Sequence, residues 1–211
     1  MKHAVILSLA LLMAALVATA DEPAPAPQRA VLVTGASTGI GRKVAERLAA
    51  DGYFVYAGAR KDKDIAELSA IKNVQGLRLD VTKPEEIAAA VETVSKEGRG
   101  LYALVNNAGV AIVGPLVETE ESDFQYLMDV NLYGPYRMTR AFSSLIIQEK
   151  GRIVMIGSIS GILARPLLGV YSMSKHGIEA SRYRKPGAPE PEDGEESGVE
   201  ADDVGPAGES G

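Results

Sequence analysis

Short, uninterrupted apolar runs alternate with segments of helical periodicity between residues 30 and 183. A run such as Ala30-Val31-Leu32-Val33 is typical of a strand that is buried on both faces of a parallel sheet. The pattern predicts strands at 30–33, 53–57, 74–79, 101–105 and 152–156. Helices are predicted at 39–50, at 62–70, from 82 onward, at 120–148 and at 170–183. Because this alternation requires right-handed crossovers, we expect an α/β fold in which helices cover both faces of a doubly wound parallel sheet.

The first 28 residues follow a different pattern. A basic residue is followed by an apolar run, 4–17, and then by the small residues Ala18-Thr19-Ala20. This arrangement predicts a signal peptide at 1–20 and export to a periplasmic or extracellular location. A membrane anchor, or a misassigned start upstream of a cytoplasmic enzyme, is the alternative. The alternating Pro and Ala of 21–28 predict an extended linker before a domain at 29–185.

The negative charge of the chain is concentrated at its C-terminal end. The formal net charge is −6, but residues 186–211 contain nine acidic residues and no basic ones. Residues 1–185 therefore hold all 22 basic residues and 19 of the 28 acidic residues, which gives a net charge of +3. An acidic, Gly/Pro-rich segment with so few apolar side chains cannot bury enough surface to offset the entropy of ordering. We therefore predict that 186–211 is a disordered tail.

The chain has no cysteine and only two histidines, His3 and His176. Disulfides, thiolate catalysis and cysteine-ligated metals are thereby excluded. With only two imidazoles, a His-rich metal site is also excluded, so we expect no metal. A Ser-His-Asp hydrolase is disfavoured for the same reason.

A glycine-rich turn, Thr34-Gly35-Ala36-Ser37-Thr38-Gly39-Ile40-Gly41, runs from the first predicted strand directly into a predicted helix. Glycines let a backbone approach a pyrophosphate closely, and a helix N-terminus offers free N–H groups and a partial positive charge. The turn therefore predicts a dinucleotide site. Its expected cofactor-binding residues are Gly35, Ser37, Thr38, Gly39, Ile40 and Gly41.

The G-x-x-x-G-x-G spacing of this turn resembles the short-chain dehydrogenase/reductase family. Further family motifs follow in the family's order: Asp80-Val81, Asn106-Asn107-Ala108-Gly109, Asn131, Ser158 and Tyr171-x-x-x-Lys175. The resemblance implies a Rossmann-type fold. It also implies that the Asp80-Val81 pair contacts the adenine. The loop that contains Asn107, Ala108 and Gly109 is implied to brace the sheet beside the cofactor.

Tyr171 and Lys175 carry the predicted chemistry. Residues four apart on a helix share one face, so the ammonium can lie close to the phenol. A nearby cation favours the phenolate of a tyrosine, which makes Tyr171 usable as a general acid or base near neutral pH. By resemblance, Lys175 also bonds the nicotinamide ribose. Ser158 is implied to hold the reacting oxygen, and Asn131 to order a water in a proton relay.

The residue after the second strand bears on the choice of cofactor. An acidic residue there would bond the ribose 2′-hydroxyl of NAD(H), whereas an arginine accommodates the 2′-phosphate of NADP(H). Here Arg60 follows the strand, and no acidic residue stands at its end. We therefore expect NADP(H), with NAD(H) as the alternative and Arg60 as a bidentate phosphate ligand. Thr38 is not the basic residue that many NADP-preferring relatives carry in the turn.

After Ala180 the sequence departs from the family. Relatives continue with further strands and a segment over the substrate, whereas this chain changes to the acidic tail. A frameshift near Ser181 is one hypothesis, and a purposeful acidic tail is the alternative. In either case we expect a sheet that lacks its last strands and ends at an unpaired fifth strand.

These observations predict an oxidoreductase that transfers a hydride between NADP(H) and a carbonyl or alcohol substrate. The alternative is a truncated nucleotide-binding protein that binds the cofactor without turnover. The segments 110–116 and 159–168 would border the pocket in relatives and are mostly apolar, so we expect an apolar small-molecule substrate. We expect no nucleic-acid partner. By resemblance, a homo-oligomer would form through the helices that contain Asn131 and Tyr171.

Overall fold

The computed structural model describes residues 28–181 and a two-residue strand at Val199–Glu200. The predicted signal peptide at 1–20, the predicted linker up to residue 27 and the rest of the predicted tail lie outside the described residues. Within the described part, no helix is both long enough and apolar enough to cross a bilayer.

Five parallel strands form the main sheet. They are β1 (Ala30–Val33), β2 (Phe54–Ala59), β3 (Val74–Arg78), β4 (Ala103–Asn106) and β5 (Arg152–Met155). Their order is β3-β2-β1-β4-β5, so the chain first winds outward on one side of β1 and then crosses to the other side. Val31 of β1 pairs with Val55 on one side and Ala103 on the other. The predicted doubly wound parallel sheet is confirmed.

Between residues 28 and 181, six α-helices connect and cover the strands. They are α1 (Gly39–Ala50), α2 (Asp62–Ser69), α3 (Pro84–Lys96), α4 (Glu121–Met128), α5 (Gly134–Gln148) and α6 (Gly169–Ala180). Pro84 opens α3 and two glutamates occupy its first turn, as expected at a helix N-terminus. Short 3₁₀ turns at Leu116–Glu118 and Ile159–Gly161 precede α4 and α6.

The long helix predicted at 120–148 is interrupted. A π-helical turn, Asp129–Tyr133, joins α4 to α5, and the backbone N–H of Gly134 donates to the carbonyl of Asp129, five residues earlier. Such turns are rare inside helices and frequently lie at functional sites. Asn131 lies within this turn.

Apolar side chains pack on both faces of the sheet. In β1, Ala30 and Leu32 belong to the core on one face, and Val31 and Val33 belong to the core on the other. Successive side chains of a strand point to opposite faces, so a strand covered on both sides is apolar throughout. Helices α3 and α5 cover the first face, and α1 and α2 cover the second.

The outer edge of β5 carries a short antiparallel strand, β6 (Val199–Glu200), in which Val199 pairs with Ile153 and Glu200 with Arg152. Among the described residues, the parallel part of the sheet ends at β5, as predicted. The outer edge of β5 was expected to be unpaired, but two residues of β5 pair with β6. An open edge offers free N–H and C=O groups with which another extended segment can pair.

Candidate active site

A cleft of about 420 Å³ opens at the carboxyl ends of the strands. It lies between the loops that follow β1 and β4, where the chain crosses over and where doubly wound sheets bind ligands. All of the predicted cofactor-binding residues except Gly39 line this cleft. They are Gly35, Ser37, Thr38, Ile40, Gly41, Arg60, Asp80, Val81, Asn107, Ala108, Gly109, Tyr171 and Lys175.

The glycine-rich turn after β1 is held by the loop after β4. The side-chain amide of Asn107 donates to the carbonyls of Thr34 at 2.9 Å and Gly35 at 3.1 Å. In the other direction, the hydroxyl oxygen of Thr34 accepts from the backbone N–H groups of Asn107 at 3.0 Å and Ala108 at 2.9 Å. These bonds join the two loops into one wall of the cleft.

Two glycines of the turn are required by close packing. A Cβ added at Gly41 would overlap the side-chain amide of Asn107 and the carbonyl oxygen of Gly35. A Cβ at Gly35, whose φ is +63°, would lie 2.9 Å from the Cα of Ala108. Gly39 differs, because its φ is +58° but a Cβ there would meet no atom within 4 Å. Gly39 therefore supplies a left-handed backbone beside open space, at the N-terminus of α1.

Arg60 and Asp80 line the cleft beyond the ends of β2 and β3. Arg60 is exposed, and its guanidinium forms no ion pair with any described residue. The carboxylate of Asp80 accepts hydrogen bonds from the backbone N–H of Thr82 at 3.0 Å and from its hydroxyl at 2.7 Å. Asp80 thus stabilises the turn before α3, and Arg60 remains a cation available to an anionic ligand.

Tyr171 and Lys175 lie one turn apart on α6, and both line the cleft. The ammonium nitrogen of Lys175 lies 5.8 Å from the centroid of the Tyr171 ring and donates to the carbonyl of Ile156 at 2.8 Å. Only 7% of Lys175 is exposed. Burial lowers the pKa of Lys175 from its ordinary value of 10.5, and the carboxylate of Glu179 opposes that shift.

The side chain of Asn131 joins the loop after β4 to α6. Its oxygen accepts from the backbone N–H of Val110 at 2.8 Å, and its nitrogen donates to the carbonyl of Val110 at 2.9 Å and to the hydroxyl of Ser174 at 3.0 Å. Ser174 donates in turn to the carbonyl of Tyr171 at 2.7 Å. Asn131 is 2% exposed and lies behind the cleft wall. Its amide therefore braces the loop against the helix, a contact that the sequence did not predict.

Ser158 begins the 3₁₀ turn Ile159–Gly161, and its hydroxyl oxygen accepts from the backbone N–H of Ser160 at 3.2 Å. The residue is half-buried and does not line the cleft, although the neighbouring Ile156 and Gly157 do. Ser158 therefore lies at the border of the cleft, where its hydroxyl also caps the turn.

The structure adds residues that sequence reasoning missed. Thr34 and Ser174 stand inside the quoted motifs, but their hydroxyls meet partners 73 and 43 positions away in the sequence. Val130 of the π-helical turn also lines the cleft. No local pattern marks these residues, because their roles depend on which loops the sheet brings together.

A model of the short chain dehydrogenase family matches residues 29–181. Among curated relatives, the mitochondrial D-beta-hydroxybutyrate dehydrogenase of Rattus norvegicus is 36% identical over 162 residues, which cover 72% of this chain and 47% of that protein. The chain spans about half the length of the curated relatives it matches.

Solved structures agree with this match. The gluconate 5-dehydrogenase of Burkholderia cenocepacia in complex with NADP and tartrate superposes with a TM-score of 0.68 at 28% identity, over 72% of this chain and 62% of that one. A short chain dehydrogenase/reductase of Burkholderia phymatum in complex with NAD superposes with a TM-score of 0.69 at 27% identity, over 72% of this chain and 57% of that one. The expected resemblance is confirmed, and the chain belongs to the short-chain dehydrogenase family.

Proposed function

We propose that this chain is an oxidoreductase that transfers a hydride between NADP(H) and a carbonyl or alcohol substrate, with Tyr171 as the general acid and base. One observation carries the proposal. The glycine-rich turn, Arg60 and the Tyr171–Lys175 pair all line a single cleft. A dinucleotide-binding wall and a proton-transfer pair in one cleft are what a nicotinamide-dependent reaction requires.

The residues of the cleft fit a dinucleotide with a phosphorylated ribose. The N-terminus of α1, where Thr38, Ile40 and Gly41 line the cleft, suits a pyrophosphate. Arg60 has no ion-pair partner among the described residues, and β2 ends without an acidic side chain. These two features favour NADP(H) over NAD(H). When bound, the cofactor supplies or accepts the hydride.

Tyr171 and Lys175 would handle the proton. In the reductive direction, the hydroxyl of Tyr171 donates its proton to the carbonyl oxygen of the substrate, and in the oxidative direction it takes the proton back. The ammonium of Lys175 stabilises the phenolate that remains after donation. Because the carbonyl of Ile156 anchors Lys175, the cation keeps its place beside the ring.

Ser158 and Asn131 have separate proposed roles. Ser158 lies beside Ile156 and Gly157 of the cleft wall, so its hydroxyl can hold the reacting oxygen of a substrate. For Asn131 we propose that the side-chain amide braces the loop after β4 against α6. Both N–H groups of its amide are already donated, to Val110 and Ser174. The water-ordering role that the resemblance implies stays a prediction.

The substrate is proposed to be a small molecule that carries apolar groups. Two segments that flank the cleft, 111–118 and 159–168, are tied together by a hydrogen bond from the N–H of Gly114 to the carbonyl of Leu167 at 2.8 Å. Their exposed large side chains are mostly apolar, namely Val113, Leu116, Val117, Ile159, Ile162, Leu163 and Leu167. An apolar rim of this kind favours ketones and aldehydes with hydrocarbon substituents over small sugars.

The test is NADPH oxidation by the full chain across a panel of apolar ketones, aldehydes and small sugars. Tyr171→Phe removes the phenolic proton and is expected to lower turnover at least about 1000-fold, while the Kd for NADPH changes less than about twofold. Tyr126→Phe, an exposed tyrosine on α4, is the matched control and is expected to keep full turnover. Turnover that survives in Tyr171→Phe would contradict the proposed mechanism.

A second function has its own support, because Ser158, which was expected to hold the reacting oxygen, does not line the cleft. In this alternative the cleft binds the nucleotide without turnover. Wild-type chain that binds NADPH and reduces no compound of the panel would favour this alternative.

A further inference from the structure

An ion pair spans the π-helical turn between α4 and α5. The guanidinium of Arg137 donates to the carboxylate of Asp129 at 2.7 Å, and the side chains are 31% and 35% exposed. The guanidinium carbon also lies 5.6 Å from the centroid of the Tyr133 ring. Asp129 is the first residue of the turn, and Arg137 lies in the first part of α5.

The π-helical turn brings these two residues onto one face. In a regular α-helix each residue advances by about 100°, so residues eight positions apart lie about 80° apart around the axis. A single π-helical turn absorbs one extra residue, which reduces this offset to about 20°. The ion pair therefore favours the π-helical register over a continuous α-helix.

The same turn sets the position of Asn131 and of part of the cleft wall. Asn131 holds both backbone polar groups of Val110, and Val130 lines the cleft. A Cβ added to Gly134, which closes the turn, would lie 2.7 Å from a methyl group of Val81, another residue of the cleft. A change of helical register would rotate Asn131 away from Val110.

We propose that Asp129 and Arg137 are positioning residues: their ion pair fixes the π-helical register and thereby holds Asn131 against Val110 and Ser174. The pair touches neither substrate nor cofactor and acts through Asn131. Its effect on turnover rests on the proposed oxidoreductase function. Its effect on the position of Asn131 is independent of that function.

The position of Asn131 can be measured without catalysis. The backbone N–H of Val110 donates to the side chain of Asn131, so its hydrogen-exchange rate, followed by NMR on the cofactor-free full chain, reports on this contact. We expect Asp129→Ala and Arg137→Met each to accelerate exchange at Val110 at least about tenfold. The double variant should show no further acceleration, because both substitutions remove the same pair. Arg137→Lys keeps the charge and should restore at least part of the protection.

Two controls distinguish a positioning role from general loosening. The backbone N–H of Thr34, which donates to the carbonyl of Val105 between two central strands, should keep its exchange rate in all these variants. Arg47→Met removes an exposed ion pair between Arg47 of α1 and Asp51, the residue that follows the helix, and should leave the exchange rate of Val110 unchanged. Unchanged exchange at Val110 in Asp129→Ala and Arg137→Met, or equal acceleration at Val110 and Thr34, would overturn the proposal.

Kinetics then test the link to catalysis. In an active wild-type chain, Asp129→Ala and Arg137→Met should lower kcat about tenfold and leave the KM for NADPH within about twofold. Asn131 braces α6 through Ser174, and a small displacement of Tyr171 on that helix reduces the rate more than it reduces binding. If exchange at Val110 is accelerated but kcat is unchanged, the proposed effect of the ion pair on turnover is overturned. Absence of turnover in the wild type would overturn the oxidoreductase function, and the exchange rates would still decide the positioning role.

Discussion

The hydroxyl oxygen of Thr34, at the end of β1, lies 3.0 Å from the backbone nitrogen of Asn107, at the end of β4. The same oxygen accepts from the backbone of Ala108 at 2.9 Å. The Thr34 hydroxyl thus accepts hydrogen bonds from two backbone N–H groups, just beyond the last paired residues of β1 and β4. The loop that faces the glycine-rich turn depends on it for its conformation.

Thr34→Val removes this hydroxyl and keeps the shape of the side chain. The N–H groups of Asn107 and Ala108 lose their acceptor, so the free energy of unfolding should fall by roughly 2 kcal/mol. The Kd for NADPH should rise as the loop loosens. Urea unfolding and cofactor titration measure the two effects, and Thr34→Ser, which retains the hydroxyl, should stay close to wild type in both.

Gly41 and Gly39 should respond differently to alanine. Gly41→Ala forces a Cβ into the side chain of Asn107 and the carbonyl of Gly35, so we expect a loss of several kcal/mol in unfolding free energy and loss of NADPH binding. Gly39→Ala meets no neighbouring atom and suffers only from its positive φ, at a cost of about 1–2 kcal/mol. Thermal unfolding of both variants measures the difference. Equal destabilisation would contradict the packing role of Gly41.

We expect Arg60 to determine the preference of the chain for NADPH over NADH. Arg60→Gln removes a cation that can form charge-assisted bonds to a ribose phosphate, so the Kd for NADPH should rise at least about tenfold. The Kd for NADH, which lacks that phosphate, should change less than about twofold. Lys61→Gln provides the control, because Lys61 is the next residue and does not line the cleft. Equal weakening of both cofactors would argue against phosphate recognition by Arg60.

The stability of the chain should carry a pH signature of Lys175. Burial lowers the pKa of this lysine in the folded state below the 10.5 of the unfolded state, so the unfolded chain binds more protons between those two values. The free energy of unfolding should therefore rise with pH in that interval. The cost of burying the charge is fully present below the lowered pKa and disappears as the pH approaches 10.5.

Lys175→Met removes this titration. Relative to the variant, the wild type should gain stability as the pH is raised from neutral toward 10.5, as measured by urea unfolding at each pH. The buried Tyr56, whose pKa is raised, is present in both chains, so its contribution cancels in the comparison. If the difference in unfolding free energy between the wild type and Lys175→Met stays constant with pH, burial does not lower the pKa of Lys175.

The sequence predicted the layered fold well because its signals are local. β1 was predicted with its observed ends, and α1 also begins and ends where predicted. A strand between two helical layers must be apolar along its whole length, and this sets it apart from an amphipathic helix. The glycine-rich turn could be found for the same reason, since its function requires particular residues at consecutive positions.

Other features depend on distant contacts and left no local trace. The π-helical turn at Asp129–Tyr133 adds one residue to a helix whose apolar spacing still looks regular. Asn131 was singled out through the family resemblance, but its partners Val110 and Ser174 are known only from the folded chain. The edge pairing of Val199 was also missed, because the composition of the tail indicates disorder and carries no pairing register.

The wall formed by the glycine-rich turn and the loop after β4 lies entirely between positions 34 and 110, as do Arg60 and Asp80. Tyr171 comes about 60 residues later. Strands β1 to β4 are contiguous in the sheet, so they can pair before β5 exists. The residues of this wall are therefore synthesised before the residues that are proposed to transfer the proton. Under the proposed function, the growing chain can gain stability from a bound nucleotide before Tyr171 and Lys175 have been added.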